Sequence, residues 1–458
     1  MRLAAALLLA FTMPAAALKP GVALGVDLGT SGVRVAIVEK QRADGGVSVI
    51  EEASAAWTDA EGRKPEIWLS KLRETLRGCT QLARVDAVSV SGTSGSCLLV
   101  DATTGAVTRG PLMYNDAVEP SQLIDTHAPP LHTTRSTTSA LAKLLHWAQE
   151  RPLENEAVCH QADYVAAALA SGPAFPGAPV LCSDWHNALK MGFDIDKLEW
   201  PAWILDGCLT SDSERRALTQ LRVARPGDVC ERVVSQEASE AWGLPAGAPI
   251  VGGTTDSIAA FVACSTDVKA GTLNIAAGDA VTSLGSTTAI KFVSDTRVDD
   301  SSVGVYSHRL EDNWLVGGAS NAGCRVLREF EFTNEELEEL SAGLPVEARN
   351  AKGVYPLVSK GERFPYNDLH KEPVLPPRDG DRASVLEDLL VGIADVERLG
   401  YLALKERGAS PLKAVATAGG GGRNAQWAAL RSNMLGVDVV RAANSDAAFG
   451  AAVLALRG

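Results

Sequence analysis

The chain has 458 residues, 46% of them hydrophobic, and a formal net charge of −13. That length accommodates two large domains, and no polar tract or charge block marks a disordered region. The acidic balance argues against nucleic acid or an anionic membrane surface as the main partner.

Met1 and Arg2 are followed by an apolar run over 3–13 and small residues over 14–17. This is the pattern of a targeting leader, too short to span a membrane, so residues 1–19 are set aside from the fold. Residues 22–27 predict a buried strand that enters a glycine turn, and residues 33–38 return as its hairpin partner. Residues 47–50 add a third strand. Ile67, Trp68, Leu72 and Leu76 have helical spacing over 65–77. A strand over 85–90 ends in the turn 91–95, and another follows over 97–100.

A break in composition near 245–249 predicts a boundary between an N-terminal domain (20–247) and a C-terminal domain (248–458). After it, residues 249–256 again form a strand, a Gly/Thr turn and an acid, which suggests a weak internal duplication. Strands are expected over 272–276 and 280–285. A long helix over 382–406 carries Leu386, Leu389, Leu390, Ile393, Val396 and Leu399 on one face. A strand over 415–418 leads into four glycines, then a helix over 424–435, a strand over 437–440 and a closing helix from Asp446. The eight cysteines contain no CxxC pair and no zinc spacing, and read as buried free thiols.

Four segments carry candidate chemistry. Gly29 and Gly32 let the backbone approach a phosphate, with Thr30 and Ser31 as hydroxyl donors. Asp27 at the strand end is placed to hold magnesium directly or through water, and Arg34 to pair with phosphate oxygens. Asp256, after Gly253, Thr254 and Thr255, is the candidate to accept a proton from an acceptor hydroxyl. Gly285, Ser286 and Thr287 form a second hydroxyl-rich turn suited to β- and γ-phosphates. Gly419 to Gly422, ahead of Asn424, present bare backbone to a flat adenine or ribose. There is no Gly-x4-Gly-Lys-Ser/Thr run, no His-Arg-Asp catalytic loop and no GxGxxG.

This ordered set resembles the FGGY carbohydrate kinases of the actin-like ATPase superfamily, over about residues 22–458. Within them the chain looks most similar to the D-ribulose kinase group of cyanobacteria and plant plastids, on segments 92–95, 113–115, 183–190, 252–261, 281–287, 304–308, 317–321, 361–365 and 417–421. The resemblance implies two α/β domains of the ribonuclease-H type around a cleft, sugar mainly on the first and ATP mainly on the second. It implies ATP and Mg2+ as cofactors and phosphorylation of D-ribulose, with xylulose or another polyol as the alternative acceptor. A nucleotide switch of the actin or chaperone type is the reading from another class. Asp256 matches the catalytic base, Asp27 a metal- and phosphate-proximal acid close to the sugar, and Ser94 a sugar contact. Gly285, Ser286, Thr287, Gly318, Gly420, Gly421 and Asn424 match nucleotide-side positions. Trp185 and His186 are candidates for a sugar-side wall. Two departures stand out. Ser91 sits where relatives usually carry Asp, and Arg423 replaces a common Lys. The partners implied are a small sugar and ATP, with no nucleic acid and no membrane; monomer and homodimer are not distinguished. The leader together with the plastid-type resemblance suggests a plastid location reached through the secretory route, with secretion and the cytosol as the alternatives.

Overall fold

Residues 22–40 are apolar on both faces and broken only at Gly29–Gly32, the pattern of a hairpin covered on two sides. In the computed structural model, which describes residues 21–41, 45–175, 179–347 and 353–457, they form β1 (Val22–Gly29) and β2 (Gly32–Lys40). The expected leader lies outside the described residues. β3 (Val47–Ala56) pairs antiparallel with β2, and β4 (Ala87–Gly92) pairs parallel with β1 after the crossover helix α1 (Pro65–Arg77). Strand alternation divides the hairpin between two cores. Leu24, Val26 and Leu28 pack with Trp68, Leu72 and Leu76 of α1, whereas Ala23 and Ala36 meet a helix from the far end of the chain.

A small sheet of β5 (Cys97–Asp101), β6 (Val107–Leu112) and β7 (Glu156–His160) follows, then α2 (Gln161–Ser171). β8 (Cys182–Asp184) pairs with β9 (Arg222–Ala224), and the short helix α3 (Trp185–Ala188) lies just beyond β8. β10 (Val229–Val233), β11 (Pro249–Val251) and β12 (Thr254–Thr255) then complete the first sheet. β11 and β12 both run parallel to β4. The expected boundary at 247/248 therefore falls before the last two strands of the first sheet. The chain leaves that sheet through α4 (Asp256–Cys264) and the two-residue strands β13 (Thr266–Asp267) and β14 (Thr272–Leu273). Of the strand expected over 272–276, only its first two residues pair, and they join neither large sheet.

The second sheet contains β15 (Asp279–Leu284), β16 (Thr288–Ser294), β17 (Tyr306–Leu310), β18 (Asn313–Ser320), β19 (Ala414–Ala418) and β20 (Asp438–Arg441). Its order is β17-β18-β16-β15-β19-β20, and the first sheet runs β3-β2-β1-β4-β11-β10. In both, an antiparallel hairpin and its neighbour are followed by two parallel strands, so β15–β16 is the counterpart of β1–β2. This corrects the expected duplication: residues 249–256 belong to the first copy, and the second copy begins at Asp279. A strand, a glycine turn and an acid are local features that occur in both places, whereas the repeat is defined by strand pairing. α5 (Arg382–Glu406) and α6 (Ala425–Leu435) cover one face of this second sheet.

The chain closes on α7 (Ala447–Arg457), which crosses back to the first sheet, where Ala448, Phe449 and Ala452 pack with Ala23 and Ala36. α4 fills the space between the sheets. Its Ile258 and Phe261 pack against Val281, Val293 and Leu315 of the second sheet, and its Val262 and Ala263 join the core of α7. Under β15 and β19 lies a buried polar network. Glu397 accepts from Thr282 Oγ1 and from Arg431 Nε at 2.6 Å, and Arg431 Nη1 donates to Thr417 Oγ1 at 2.9 Å. A paired and fully bonded ion pair of this kind fixes α5 and α6 to both strands. Among the described residues the eight cysteines are free thiols, and no helix is long and apolar enough to cross a membrane.

Candidate active site

Alternation along β1 puts Asp27 on the same face as Ala23 and Gly25, the face that α7 covers. α7 begins only at Ala447, so Asp27 emerges at its N-terminal end. There a cavity of about 930 Å³ opens between the two sheets. Its wall includes Asp27, Gly29, Thr30, Ser31 and Arg34 from the β1–β2 hairpin, and Asp256 and Ser257 from α4. The segment after β19 adds Gly420 and Arg423, the end of β20 adds Arg441, and the segment after it adds Asp446. Two helix N-termini, those of α4 and α7, open into this space, and the partial positive charge of a helix start suits it to anionic oxygens.

Asp27 is 2% exposed. Its Oδ1 accepts from Ser91 Oγ at 2.8 Å, and its Oδ2 lies 3.4 Å from Arg34 Nη1. Burial pushes its pKa up to about 7; the carboxylates of Asp256 and Asp446 act in the same direction, and Ser91 and Arg34 oppose them. Ser91 thus has a definite place where relatives usually carry an acid: its hydroxyl orients Asp27. The turn beyond is braced from outside, with Trp57 Nε1 donating to Thr30 O at 3.0 Å and Trp57 N to Ser31 O at 3.0 Å.

The elevated Asp27 pKa has a thermodynamic consequence in the ligand-free protein. Between its unfolded value of 3.8 and about 7 the folded state holds a proton that the unfolded state releases, so stability declines as pH rises through that window. Asp27→Asn removes the ionisation. Its thermal midpoint is expected to exceed that of the parent at about pH 8, and the two should converge near pH 4. Melting curves at the two pH values check this; a difference that does not depend on pH overturns it.

Asp256 reaches the cavity because Gly252 and Gly253 press against neighbouring backbone. A Cβ on Gly253 would collide with Val90 O, and one on Gly252 with Arg225 O. This approach sets Thr254 opposite Ser91 and Thr255 opposite Gly92, and α4 starts at the next residue. Asp256 Oδ1 accepts from Ser257 N at 2.6 Å. Burial raises its pKa, while the Ser257 N–H, Lys291 and Lys190 oppose the rise. Lys291, on β16, donates to Ser257 O at 2.8 Å and Ser257 Oγ at 3.0 Å. Burial brings its pKa down to about 7 against the pull of Asp256.

Just beyond β4 lies Ser94, whose buried hydroxyl has no hydrogen-bond partner among the described residues. Thr254 is occupied: its Oγ1 is 2.7 Å from His186 Nδ1. His186 Nε2 lies 2.6 Å from Arg309 O, which accepts only, so Nε2 carries the proton and Nδ1 accepts from Thr254. With both ring nitrogens bonded, His186 tethers α3 to β17 and is not free to donate to a sugar hydroxyl. The Trp185 ring lies under the Arg309 guanidinium, 5.1 Å from it. These two side chains therefore link the domains and do not form the expected sugar wall.

The remaining nucleotide-side expectations divide. Gly420 lines the cavity with open space at its Cβ position. Gly421 does not: its Cβ position meets Leu284 and the Trp427 ring, so it is a packing glycine. Asn424 caps α6, accepting from Trp427 N at 2.9 Å and donating to Ser341 Oγ at 2.7 Å. Gly318 packs under the Phe364 ring. Gly285, Ser286 and Thr287 form the β15–β16 turn, outside the lining of this cavity, with Ser286 Oγ accepting from Arg328 Nη2 at 2.8 Å. Gly421, Asn424 and Gly318 lie outside the lining of this cavity, and packing and capping draw on the same residue types as ligand contact. The 441–446 segment and the lysines were not singled out. Only the helix-start character of Asp446 signalled the first, and no local motif signalled the others.

Acids and two helix starts thus converge on one cavity between the two sheets, an arrangement suited to phosphate groups. Residues 280–458 match the C-terminal domain of the FGGY family of carbohydrate kinases. The chain is 25% identical over 467 residues to the xylulose kinase of Escherichia coli (strain K12), covering 94% of this chain and 89% of that protein. It is 36% identical over 92 residues to a xylulose kinase of Arthrobacter sp. (strain NRRL B3728), covering 20% of this chain and 91% of that sequence. The crystal structure of xylulose kinase from Bifidobacterium adolescentis superposes with a TM-score of 0.73 at 19% identity, covering 96% of this chain and 92% of that one. The chain belongs to the FGGY family of carbohydrate kinases, which are phosphotransferases, and it shares the mixed α/β fold of the sugar kinase structures it superposes on.

Proposed function

We propose that this carbohydrate kinase transfers the γ-phosphoryl group of ATP to a primary hydroxyl of a ketopentose, with D-ribulose as the acceptor. The observation that carries the reading is the position of Asp256. It stands in the wall of the phosphate-suited cavity, in the first turn of α4 and directly after Thr254 and Thr255, which pair with the end of β4 that carries Ser91. Asp256 accepts the proton of the acceptor hydroxyl as its oxygen bonds to phosphorus. The bond from phosphorus to the bridging oxygen breaks, and ADP leaves with that oxygen. The N–H groups at the starts of α4 and α7 and the β1–β2 turn hold the phosphate oxygens, together with Arg34.

Asp27 fits a magnesium–phosphate complex: its carboxylate is buried, faces two other acids across the cavity and is only partly balanced by Arg34. Among the described residues no group of three or more His, Cys, Asp or Glu is arranged to hold a metal, so Asp27 would hold the cation jointly with the nucleotide. Magnesium bound there supplies neutralisation of phosphate charge. Ser91 keeps the Asp27 carboxylate turned toward the cavity.

D-Ribulose is favoured by the motif resemblance, and D-xylulose by the xylulose kinases among the relatives. Initial rates on D-ribulose, D-xylulose, L-ribulose and glycerol, with ATP and magnesium, separate the readings. The highest kcat/KM is expected with D-ribulose. A higher value with D-xylulose replaces the acceptor and keeps the class; ATP hydrolysis unaffected by any sugar rejects both.

A further inference from the structure

Lys291 has no assigned part in the transfer, yet among the described residues it makes the two hydrogen bonds that join α4 to the second sheet. Alternation along β16 puts it on the same face as Val293, the face that α4 covers. Its partner on β18 is Gly317, where a Cβ would come 3.5 Å from Lys291 Cγ, so the stem has room to run toward α4. Nζ donates to Ser257 O at 2.8 Å and to Ser257 Oγ at 3.0 Å. Ser257 N donates in turn to Asp256 Oδ1 at 2.6 Å. No hydrogen bond among the described residues reaches Asp256 Oδ2, which leaves that oxygen for a ligand. A cation is out of place at a helix start, where the partial charge is already positive, and partial burial adds to the cost. Packing alone does not call for it, because an apolar side chain would cover α4 there as Val293 does.

We propose that Lys291 is a positioning residue for phosphoryl transfer: it holds Ser257, and through Ser257 the Asp256 carboxylate, against the β15–β16 hairpin of the second sheet. The proposal rests on the reading that Asp256 accepts the proton of the acceptor hydroxyl. The Ser257 N–H fixes Oδ1, and Lys291 fixes Ser257, so Oδ2 is presented to the cavity in one place. Lys291 acts through Ser257 and touches neither substrate, so it bears on kcat and leaves substrate affinity alone. Its charge adds a second effect, because the ammonium opposes the rise that burial imposes on Asp256. The other groups whose charges bear on these two residues are Lys190 and Asp27 for Asp256, and Cys264, His186 and His308 for Lys291. Burial keeps the Cys264 thiol and both imidazoles neutral, and the Tyr306 phenol as well. Lys291 itself is charged below about pH 7, which is where its charge acts on Asp256.

The test measures steady-state rates across pH for the parent, Lys291→Met, Lys291→Arg and Ser257→Ala, with melting curves for each and Asp256→Asn in the same series. In Lys291→Met kcat is expected to fall by about ten-fold or more, with KM for sugar and for ATP close to the parent values. The acid limb of its kcat/KM should move to higher pH, because the cation that opposed the rise of Asp256 is gone. Lys291→Arg keeps the charge and the donors, so it should recover part of kcat and return the limb toward that of the parent. Ser257→Ala keeps the N–H that holds Asp256 and loses one of the two Lys291 contacts, and should fall between them. Parent-like kcat in Lys291→Met overturns the proposal. So does a loss of kcat with the acid limb unmoved and no recovery in Lys291→Arg, which would make Lys291 a packing residue. If Lys291→Met does not fold, Lys291→Arg and Ser257→Ala decide: the proposal stands if the limb keeps its place in the first and kcat falls in the second, and otherwise is overturned. Asp256→Asn separates the two readings. Turnover retained there removes Asp256 as base, whereas turnover lost there and kept in Lys291→Met removes only the part given to Lys291.

Discussion

Replacing Asp256 with asparagine is expected to lower kcat for sugar phosphorylation by on the order of 10³-fold, within the range that a positioned general base contributes. Nucleotide binding should stay close to that of the parent. The variant should fold, because Asn Oδ1 can still accept from Ser257 N and hold the first turn of α4 as Asp256 does. It loses the group that takes the hydroxyl proton. The pH profile offers a second reading of the same residue. Burial raises the Asp256 pKa and the two lysines restrain the rise, so kcat/KM in the parent should decline as pH falls through it. The residual rate of Asp256→Asn should lack that limb. Steady-state rates across pH, with calorimetry for ATP, make the measurement. Turnover within about ten-fold of the parent would take Asp256 out of the role of base.

What the sequence revealed about this site follows how local each feature is. The β1–β2 hairpin was legible because two apolar strands and a glycine turn lie within twenty residues, and strand period alone sets the face that Asp27 occupies. Asp256 was visible as an acid after a Gly/Thr turn. Its meeting with Asp27 was not visible, because it depends on β12 pairing with β4 over a separation of more than 160 residues. The same limit produced the misplaced duplication. Gly421, Gly318 and Asn424 have structural parts that a sequence pattern does not separate from ligand contact. Gly421 and Gly318 are small because Trp427 and Phe364 occupy the space beside them, and Asn424 is an amide because a helix starts there. Lys190 and Lys291 were silent because a lysine in an amphipathic segment looks the same whether its head reaches water or a cleft. Ser91 was flagged as a departure, and only its bond to Asp27 showed what the hydroxyl does.

The second large effect is expected far from the chemistry. α7 is held between β1 and α4 with no room for side chains at two places. A Cβ on Gly450 would collide with Ala259 O and approach Ala263 N, and one on Gly25 would collide with Ala448 O and Ala452 N. Gly→Ala inside a helix normally stabilises by about 1 kcal/mol through lost chain entropy. At Gly450 the opposing cost is larger. The obstacle is backbone, which no rotamer change can move, and forcing added volume into a packed interior costs roughly 1–3 kcal/mol or more. Gly450→Ala is therefore expected to destabilise by about 2 kcal/mol net. The same displacement acts on function, because both helix N-termini at the cavity belong to the pair that must separate. α4 carries Asp256 in its first turn, and α7 begins beside Asp446, so a shift of either opens the distance between base and phosphates; misplacement on the order of 1 Å can cost about 10²-fold in rate. Gly25→Ala should act likewise from the other side of α7. Gly420→Ala, whose added Cβ meets open space, is the control for stability. Denaturation midpoints and kcat for the three variants decide the matter: a Gly450→Ala protein as stable as Gly420→Ala would show that the contact between α4 and α7 yields without cost.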